Sequence, residues 1–170
     1  MAELTQRTAS LADVQGLWGL LRRVSADVPF RLEDEREQEA ILSEVAACCA
    51  SGLSPIAIDN ERGIVGALLA RRDDLEWGLR NNPAVHVAYA AMAPAFRGTD
   101  LFAGLLGEVK GLGVAVLASV KAGDRQGFAE ALGAQGFIHQ RRAASGWGDL
   151  YRWTPAAARG AGRTPRWFVA

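Results

Sequence analysis

The sequence has no surplus of charge of either sign, since 19 Lys and Arg residues balance 19 Asp and Glu residues. A broad basic field for nucleic acid, or an acidic one for cationic partners, is therefore not indicated. Long apolar runs are also lacking, and no stretch approaches the roughly 20 residues of a membrane span. The opening segment, MAELTQRTASLADV, has neither the basic region nor the continuous apolar region of a signal peptide. We therefore expect a cytoplasmic protein with no nucleic-acid or membrane partner.

Cysteine is scarce as well, with two residues that are adjacent in the chain, Cys48 and Cys49. Neighbours in a helical pattern are poorly placed to form a disulfide with each other, and two cysteines do not make a zinc site. We expect both to be buried as small apolar side chains in a reducing compartment. No residue pattern indicates a metal or a flavin.

The predicted elements alternate in the order helix, helix, hairpin, strand, helix, strand, helix, hairpin. Ser10 and Asp13 are suited to cap the first helix, and the second helix stops at Gly52. The third strand, AVHVAYAAMA, is almost continuously apolar and is therefore predicted to lie in the centre of the sheet. The order predicts an α+β fold of three layers, α/β/α, with a mixed, mostly antiparallel central sheet.

Two helices are predicted in the second half of the chain. The first runs from about Thr99 to Gly111, and the second starts at Asp124 as its N-cap and ends in the pair Gly136-Phe137. The length of 170 residues suits one domain with a short tail. The tail, residues 156–170, is rich in Ala, Gly and Arg, and we expect it to be a loosely held extension.

The segment between the central strand and the next helix, MAPAFRGTDLFAGLL, has the form of an anion-binding turn. A helix N-terminus offers unpaired N–H donors and the positive end of the helix dipole, and Gly98 lets the backbone approach an anion closely. Arg97 adds a cation and Thr99 a hydroxyl group. Asp100 places a carboxylate in the same turn, where it would repel a phosphate or stabilise the helix start. An ordinary strand-to-helix turn capped by Thr99 or Asp100 is the alternative.

With these elements in this order, the chain resembles the GNAT superfamily of N-acetyltransferases. The resemblance covers about Arg7 to Trp153 and rests on three pieces: the strand, Arg-Gly turn and helix just described, the later strand and helix ending in Gly136-Phe137, and a closing hairpin containing DLYRW. It implies a GNAT-like acyltransferase domain over residues 1–155. It also implies a splayed pair of central strands that holds acetyl-CoA, or another acyl-CoA, as cosubstrate.

The resemblance points to the residues that contact the cosubstrate. The end of the central strand would offer backbone groups to the pantetheine arm, and the turn and helix start would hold the pyrophosphate. The predicted contacts are Ala91, Met92, Ala93, Arg97, Gly98, Thr99, Asp100 and Leu101. Three positions depart from the family's pattern. Ala95 and Asp100 replace the usual turn residues, and Leu132 stands where many relatives carry a tyrosine that protonates the thiolate.

Two polar residues of the central strand are catalytic candidates. His86 has an ordinary pKa suited to proton transfer near neutral pH, and Tyr89 lies nearer the predicted splay, where it could donate to a thiolate. Strict alternation places His86 on the face of the sheet opposite Val85, Val87 and Tyr89. The alternatives are a structural histidine at the start of the strand and a partly buried sheet tyrosine.

Aromatic residues are the candidates for acceptor binding. Trp77 lies in a loop that shapes the acceptor pocket in the family, and Tyr151 on the closing hairpin could line the same pocket. Packing in the core is the alternative for Tyr151. Exposed aromatic residues such as Trp77 and Trp147 also suit a homodimer contact.

The sequence thus predicts an acyl-CoA-dependent N-acetyltransferase. Its acceptor would be an amine-bearing small molecule or peptide, which attacks the thioester directly. Because of Leu132 and Asp100, a catalytically inactive GNAT-fold binding or regulatory module is the alternative. A third hypothesis keeps the fold but places a metabolite other than CoA in the cleft.

Overall fold

The computed structural model describes residues 4–27, 32–74, 76, 82–97, 99–121, 127–141 and 148–156. The strands are β1 (Leu4–Thr8), β2 (Pro55–Asp59), β3 (Gly63–Arg72), β4 (Ala84–Met92), β5 (Ala115–Val120), β6 (Ile138–Arg141) and β7 (Asp149–Trp153). The α-helices are α1 (Val14–Arg23), α2 (Glu35–Ala50), α3 (Leu101–Gly111) and α4 (Phe128–Ala134). The predicted extension lies outside these ranges except for its first residue, as do Trp77, Gly98 and Trp147.

All seven described strands join one sheet in the order β1-β2-β3-β4-β5-β7-β6. Every neighbouring pair is antiparallel except β4 and β5, which run parallel. A parallel pair requires a crossover connection, and α3 supplies it between these two strands. The predicted mixed, mostly antiparallel sheet with AVHVAYAAMA at its centre is therefore confirmed.

Helices cover both faces of the sheet, which confirms the predicted three layers. On one face, α1 and α2 pack on the sheet through a buried cluster, called here the α1–α2 cluster. It includes Leu17, Leu20, Leu21, Ile41, Val45, Cys48, Ile56, Ala67 and Leu69. On the other face, α3 and α4 bury a second cluster, the α3–α4 cluster. It includes Leu105, Leu106, Val109, Leu132, Val65, Leu68, Val85, Val87 and Val116. Both cysteines are free and buried, as expected. Burial raises the pKa of the Cys48 thiol to about 12.

Local chemistry explains where α2 begins and ends. The Asp34 carboxylate accepts hydrogen bonds from the N–H groups of Arg36 and Glu37, at 2.9 and 3.3 Å, and so caps the helix start. Acidic residues follow in the first turn, where the helix dipole favours negative charge. After the last turn Gly52 adopts a left-handed conformation, with φ of 70°, and the chain leaves the helix.

The sequence-based prediction was wrong or incomplete at three places. Strand β1 was missed because its side chains, LTQRT, are all exposed and carry no apolar alternation. Helix α3 begins at Leu101, two residues after the predicted start. Helix α4 begins at Phe128 with Gly127 at the N-cap, four residues after the predicted start, and the predicted cap Asp124 lies outside the described residues. Within the described ranges, no helix has both the length and the apolar character to cross a bilayer.

Candidate active site

Strands β4 and β5 pair over only part of their length. Their register runs from Ala84 opposite Ala115 to Val87 opposite Ala118. Beyond that point β4 continues to Met92 against β3, and β5 continues to Val120 against β7. Among the described residues no further pair joins β4 to β5, so the two strands diverge. We call this opening, between residues 88–92 of β4 and residues 119–120 of β5, the fork.

The backbone of β4 directs polar groups into the fork. The N–H of Ala93 donates to the carbonyl of Val65 on β3 at 2.8 Å. Because successive residues of a strand point their polar groups to alternate edges, those of Ala90 and Met92 point away from β3 and towards the fork. The Met92 carbonyl accepts a hydrogen bond from Nε of Arg97. An open strand edge of this kind is what an extended ligand needs in order to pair with a sheet.

A bulge in β4 overturns the predicted placement of Tyr89. Leu69 pairs with Tyr89 and the next residue, Ala70, pairs with Val87, so Ala88 is an extra residue in β4. The extra residue reverses the alternation, and Tyr89 packs with the α1–α2 cluster whereas Val87 packs with the α3–α4 cluster. Tyr89 is therefore not on the face of Val87, as strict alternation predicted. Burial raises its pKa to about 12, so it stays protonated at neutral pH.

His86 lies just before the apex of the fork and contacts two polar side chains. Its Nε2 is 3.3 Å from Oγ of Ser119 on β5. Its Nδ1 is 3.8 Å from Oδ2 of Asp73, which follows β3. Burial lowers the pKa of His86 below its ordinary value, and the Asp73 carboxylate offsets part of that shift. The imidazole is therefore mostly neutral near neutral pH and can accept a proton.

The fork opens towards the N-terminus of α3. The Thr99 hydroxyl donates to the carbonyl of Phe96 at 2.6 Å and accepts from the N–H of Leu101 at 3.3 Å. Asp100 occupies the N-cap position and is exposed, and its side chain makes no capping hydrogen bond. The next backbone N–H groups, those of Phe102 and Ala103, belong to a first helical turn, where donors have no intrahelical acceptor. An anion can bind there.

Comparison with known proteins identifies this arrangement. No family model and no curated protein matches the sequence, but solved structures match over almost their whole length. An acetyltransferase of the GNAT family from Listeria monocytogenes has a TM-score of 0.61 at 14% identity, over 89% of this chain and 95% of that chain. NAA60 from Arabidopsis thaliana, solved in complex with acetyl-CoA, has a TM-score of 0.66 at 16% identity, over 89% and 99%. A polyamine N-acetyltransferase from Drosophila melanogaster has a TM-score of 0.62 at 15% identity, over 89% and 100%. The chain has the GNAT fold.

Within this GNAT fold the side chain of Arg97 is turned back towards the protein. Its Nη2 forms an ion pair with Oδ2 of Asp27 at 2.7 Å, and its Nε donates to the carbonyl of Met92 at 3.2 Å. About a quarter of the side chain is exposed. Arg97 therefore ties the end of β4 to the segment after α1, and its guanidinium is already engaged. Its predicted contact with a phosphate stays a prediction.

The remaining predicted residues fall in different parts of the GNAT fold. Leu132 on α4 is 4% exposed and packs in the α3–α4 cluster. Tyr151 is half-buried against that same cluster, and its ring meets the ring of His139 edge-on, with centroids 5.2 Å apart. The structure thus brings Tyr151 to the sheet face opposite Tyr89 and the α1–α2 cluster. Trp77 and Gly98 lie outside the described residues.

Sequence reasoning missed three residues that shape the site: Ser119, Asp73 and Asp27. A signal for Ser119 was present, because it is the single polar residue of the otherwise apolar strand AVLASV. Alternation from Leu117 would have placed it beside the partner strand's histidine, since Leu117 pairs with His86. Asp73 follows β3 and Asp27 ends the short turn after α1, and neither has a local sequence pattern that separates it from the other acidic residues.

Proposed function

We propose that this protein is an acyl-CoA-dependent N-acyltransferase that transfers an acetyl group, or another acyl group, to an amine. The observation that carries the proposal is the fork, whose open β4 edge leads directly to the N-terminus of α3. An extended chain with amide groups can pair with that edge, and a pyrophosphate at its far end can reach the helix start. Acyl-CoA combines these two features in one molecule.

The cosubstrate would then be held mainly by backbone groups. Of the three predicted contacts at the end of β4, Met92 directs its backbone groups into the fork, where a pantetheine amide would pair. Ala91 and Ala93 direct theirs to β3. Leu101 and the turn before it would face the pyrophosphate. Since Thr99 and Arg97 already have protein partners, the N–H groups of the first turn of α3 would supply most of the anion binding.

His86 is the proposed general base of the reaction. An acceptor enters as an ammonium ion and must lose a proton before its nitrogen can attack the thioester carbonyl. Burial keeps the pKa of His86 below its ordinary value, so the imidazole is available at neutral pH. The C–N bond then forms and the C–S bond breaks, and the second proton of the nitrogen passes to the departing thiolate. Tyr89, which is protonated at neutral pH, would stabilise that thiolate as a hydrogen-bond donor.

The test measures CoA release from acetyl-CoA with a thiol reagent, against a panel of primary amines and short peptides. His86→Gln should lower kcat/KM by about 10²- to 10⁴-fold, as removal of a general base does. The matched control is His139→Gln, because His139 is the other histidine of the chain and lies on β6, two strands from β5. Equal activity of the wild type and the His86 variant on every active acceptor would remove His86 from the mechanism.

A second candidate is a GNAT-fold module that binds acyl-CoA without transferring the acyl group. The buried Leu132 favours it, because no hydroxyl donor stands at that position of α4. Thermal unfolding with and without acetyl-CoA distinguishes the two, since a ligand of the folded state raises the midpoint. A saturable shift without turnover on any acceptor supports the binding module. If millimolar acetyl-CoA gives no shift and no turnover, both candidates are contradicted.

A further inference from the structure

The contact between Ser119 and His86 has a consequence for the route of the proton. Ser119 is the first residue of β5 beyond the last pair with β4, whereas His86 lies one residue before that pair. Ser119 is therefore nearer the open part of the fork than the imidazole is. A nitrogen bound in the fork would therefore lie nearer, along the strands, to Ser119 than to His86.

We propose that Ser119 is a catalytic residue of this site, whose hydroxyl relays a proton from the acceptor ammonium to Nε2 of His86. Asp73 is the positioning residue, which keeps the imidazole in the tautomer that accepts the proton. This inference rests on the proposed acyltransferase function. It adds to that function the path of the proton and two residues that the sequence analysis did not single out.

The charge of Asp73 favours one tautomer of His86, and the tautomer sets the direction of the hydrogen bond with Ser119. The Asp73 carboxylate lies 3.8 Å from Nδ1 of His86, a separation at which a ring N–H is attracted and a ring lone pair is repelled. Nδ1 therefore carries the hydrogen in the neutral ring, and Nε2 carries the lone pair. At 3.3 Å from Nε2, the Ser119 hydroxyl is then the donor of that contact.

The relay balances in protons and electrons. One N–H proton of the ammonium moves to Oγ of Ser119 while the hydroxyl proton of Ser119 moves to Nε2 of His86. The free amine attacks the thioester, the C–N bond forms, and the C–S bond releases the thiolate, which takes the second nitrogen proton. The imidazolium, stabilised by Asp73, then returns its proton to solvent. Ser119 ends the cycle as the hydroxyl with which it began.

Other charged groups around His86 do not take over this role. Arg71 on β3 and Glu44 on α2 both influence the ring. They form an ion pair with each other at 2.6 Å, so their effects on His86 largely cancel. Asp73 is more buried than either, with 16% of its side chain exposed. Its Oδ1 accepts the N–H of Glu76 at 2.9 Å, which holds the carboxylate in place.

The kinetic test uses Ser119→Ala and Ser119→Thr with acetyl-CoA and an amine that the wild type acetylates. Ser119→Ala should lower kcat by about 10²-fold with an unchanged KM for acetyl-CoA, and Ser119→Thr, which keeps the hydroxyl, should recover most of the rate. Because the relay acts as a unit, Ser119→Ala should cost nothing further in the His86→Gln background. A loss below twofold, or equal losses in both backgrounds, overturns the proposal.

A second measurement does not depend on turnover. The ¹⁵N shifts of the imidazole nitrogens report which one carries the hydrogen, and His139→Gln assigns the two histidines. We expect the hydrogen on Nδ1 of neutral His86. Asp73→Asn should lower the pKa of His86, because a neighbouring negative charge is lost. Hydrogen on Nε2 in the wild type overturns the relay. If the wild type acetylates no amine, the proposed function fails while these shifts still decide the hydrogen-bond arrangement.

Discussion

Asp100 provides the sharpest test of where the cosubstrate phosphates bind. The carboxylate is exposed at the N-cap of α3, where the proposed pyrophosphate lies. Two unit charges about 7 Å apart in a water-like dielectric interact by roughly 0.6 kcal/mol. A pyrophosphate carries two such charges, so the carboxylate weakens binding by about 1 kcal/mol, or roughly fivefold in Kd. Asp100→Asn should therefore tighten CoA binding by that factor.

The assay is titration calorimetry with CoA at low and high salt. The gain in CoA affinity from Asp100→Asn should shrink as the salt concentration rises, since the screening length falls from about 30 Å at 0.01 M to about 3 Å at 1 M. Glu108→Gln is the matched control, because Glu108 is exposed on the same helix and lies about 12 Å further along its axis. Without ligand, Asp100→Asn should cost at most about 1 kcal/mol of stability.

Two results would refute this reasoning about Asp100. An unchanged Kd at low salt would mean that the pyrophosphate does not lie at the start of α3. An equal gain from Glu108→Gln would mean that net charge matters and that the position of the carboxylate does not. Either result would leave the GNAT fold intact, but it would remove the α3 N-terminus from the proposed site.

Three further predictions concern stability. Gly148→Ala should lower the free energy of unfolding by about 1–3 kcal/mol, because φ is 81° and a Cβ would collide with the backbone of β5. The control is Gly133→Ala in α4, where a Cβ meets nothing, and it should stabilise the protein by up to about 1 kcal/mol. Equal effects of the two substitutions in thermal melts would contradict this prediction. Asp13→Asn should cost about 1–3 kcal/mol at neutral pH, since an arginine partner lowers the pKa of that carboxyl. The difference from wild type in urea unfolding should shrink as pH falls below about 4, because the Asp13 carboxylate of the unfolded chain becomes protonated there while the folded one keeps its charge to lower pH. A constant difference would argue against the ion pair. Leu132→Ala should lower the free energy of unfolding by about 2–5 kcal/mol. Leu112→Ala, at an exposed leucine, should lower it far less, and similar losses for the two variants in chemical denaturation would contradict the burial of Leu132.

The sequence by itself determined the elements whose side chains carry a period. The apolar stripe of α1, the acidic start of α2 and the hairpin of β2 and β3 each depend on residues within one or two turns of one another. The central place of β4 followed from its continuous apolar composition, because a strand buried on both faces has no polar side. The strand, turn and helix that form the site could be predicted because their signals also lie in residues close together in the sequence.

The tertiary structure alone decided how the site is arranged. The bulge at Ala88 is a property of the pairing between β3 and β4, so the local sequence does not predict it. The bulge places Tyr89 on the face of the sheet opposite Val87. Strand β1 exists because its backbone pairs with β2, not because its side chains are apolar. The engagement of Arg97 by Asp27 joins residues that are far apart in the sequence. So does the contact of Ser119 with His86, because only the folded sheet brings their strands side by side.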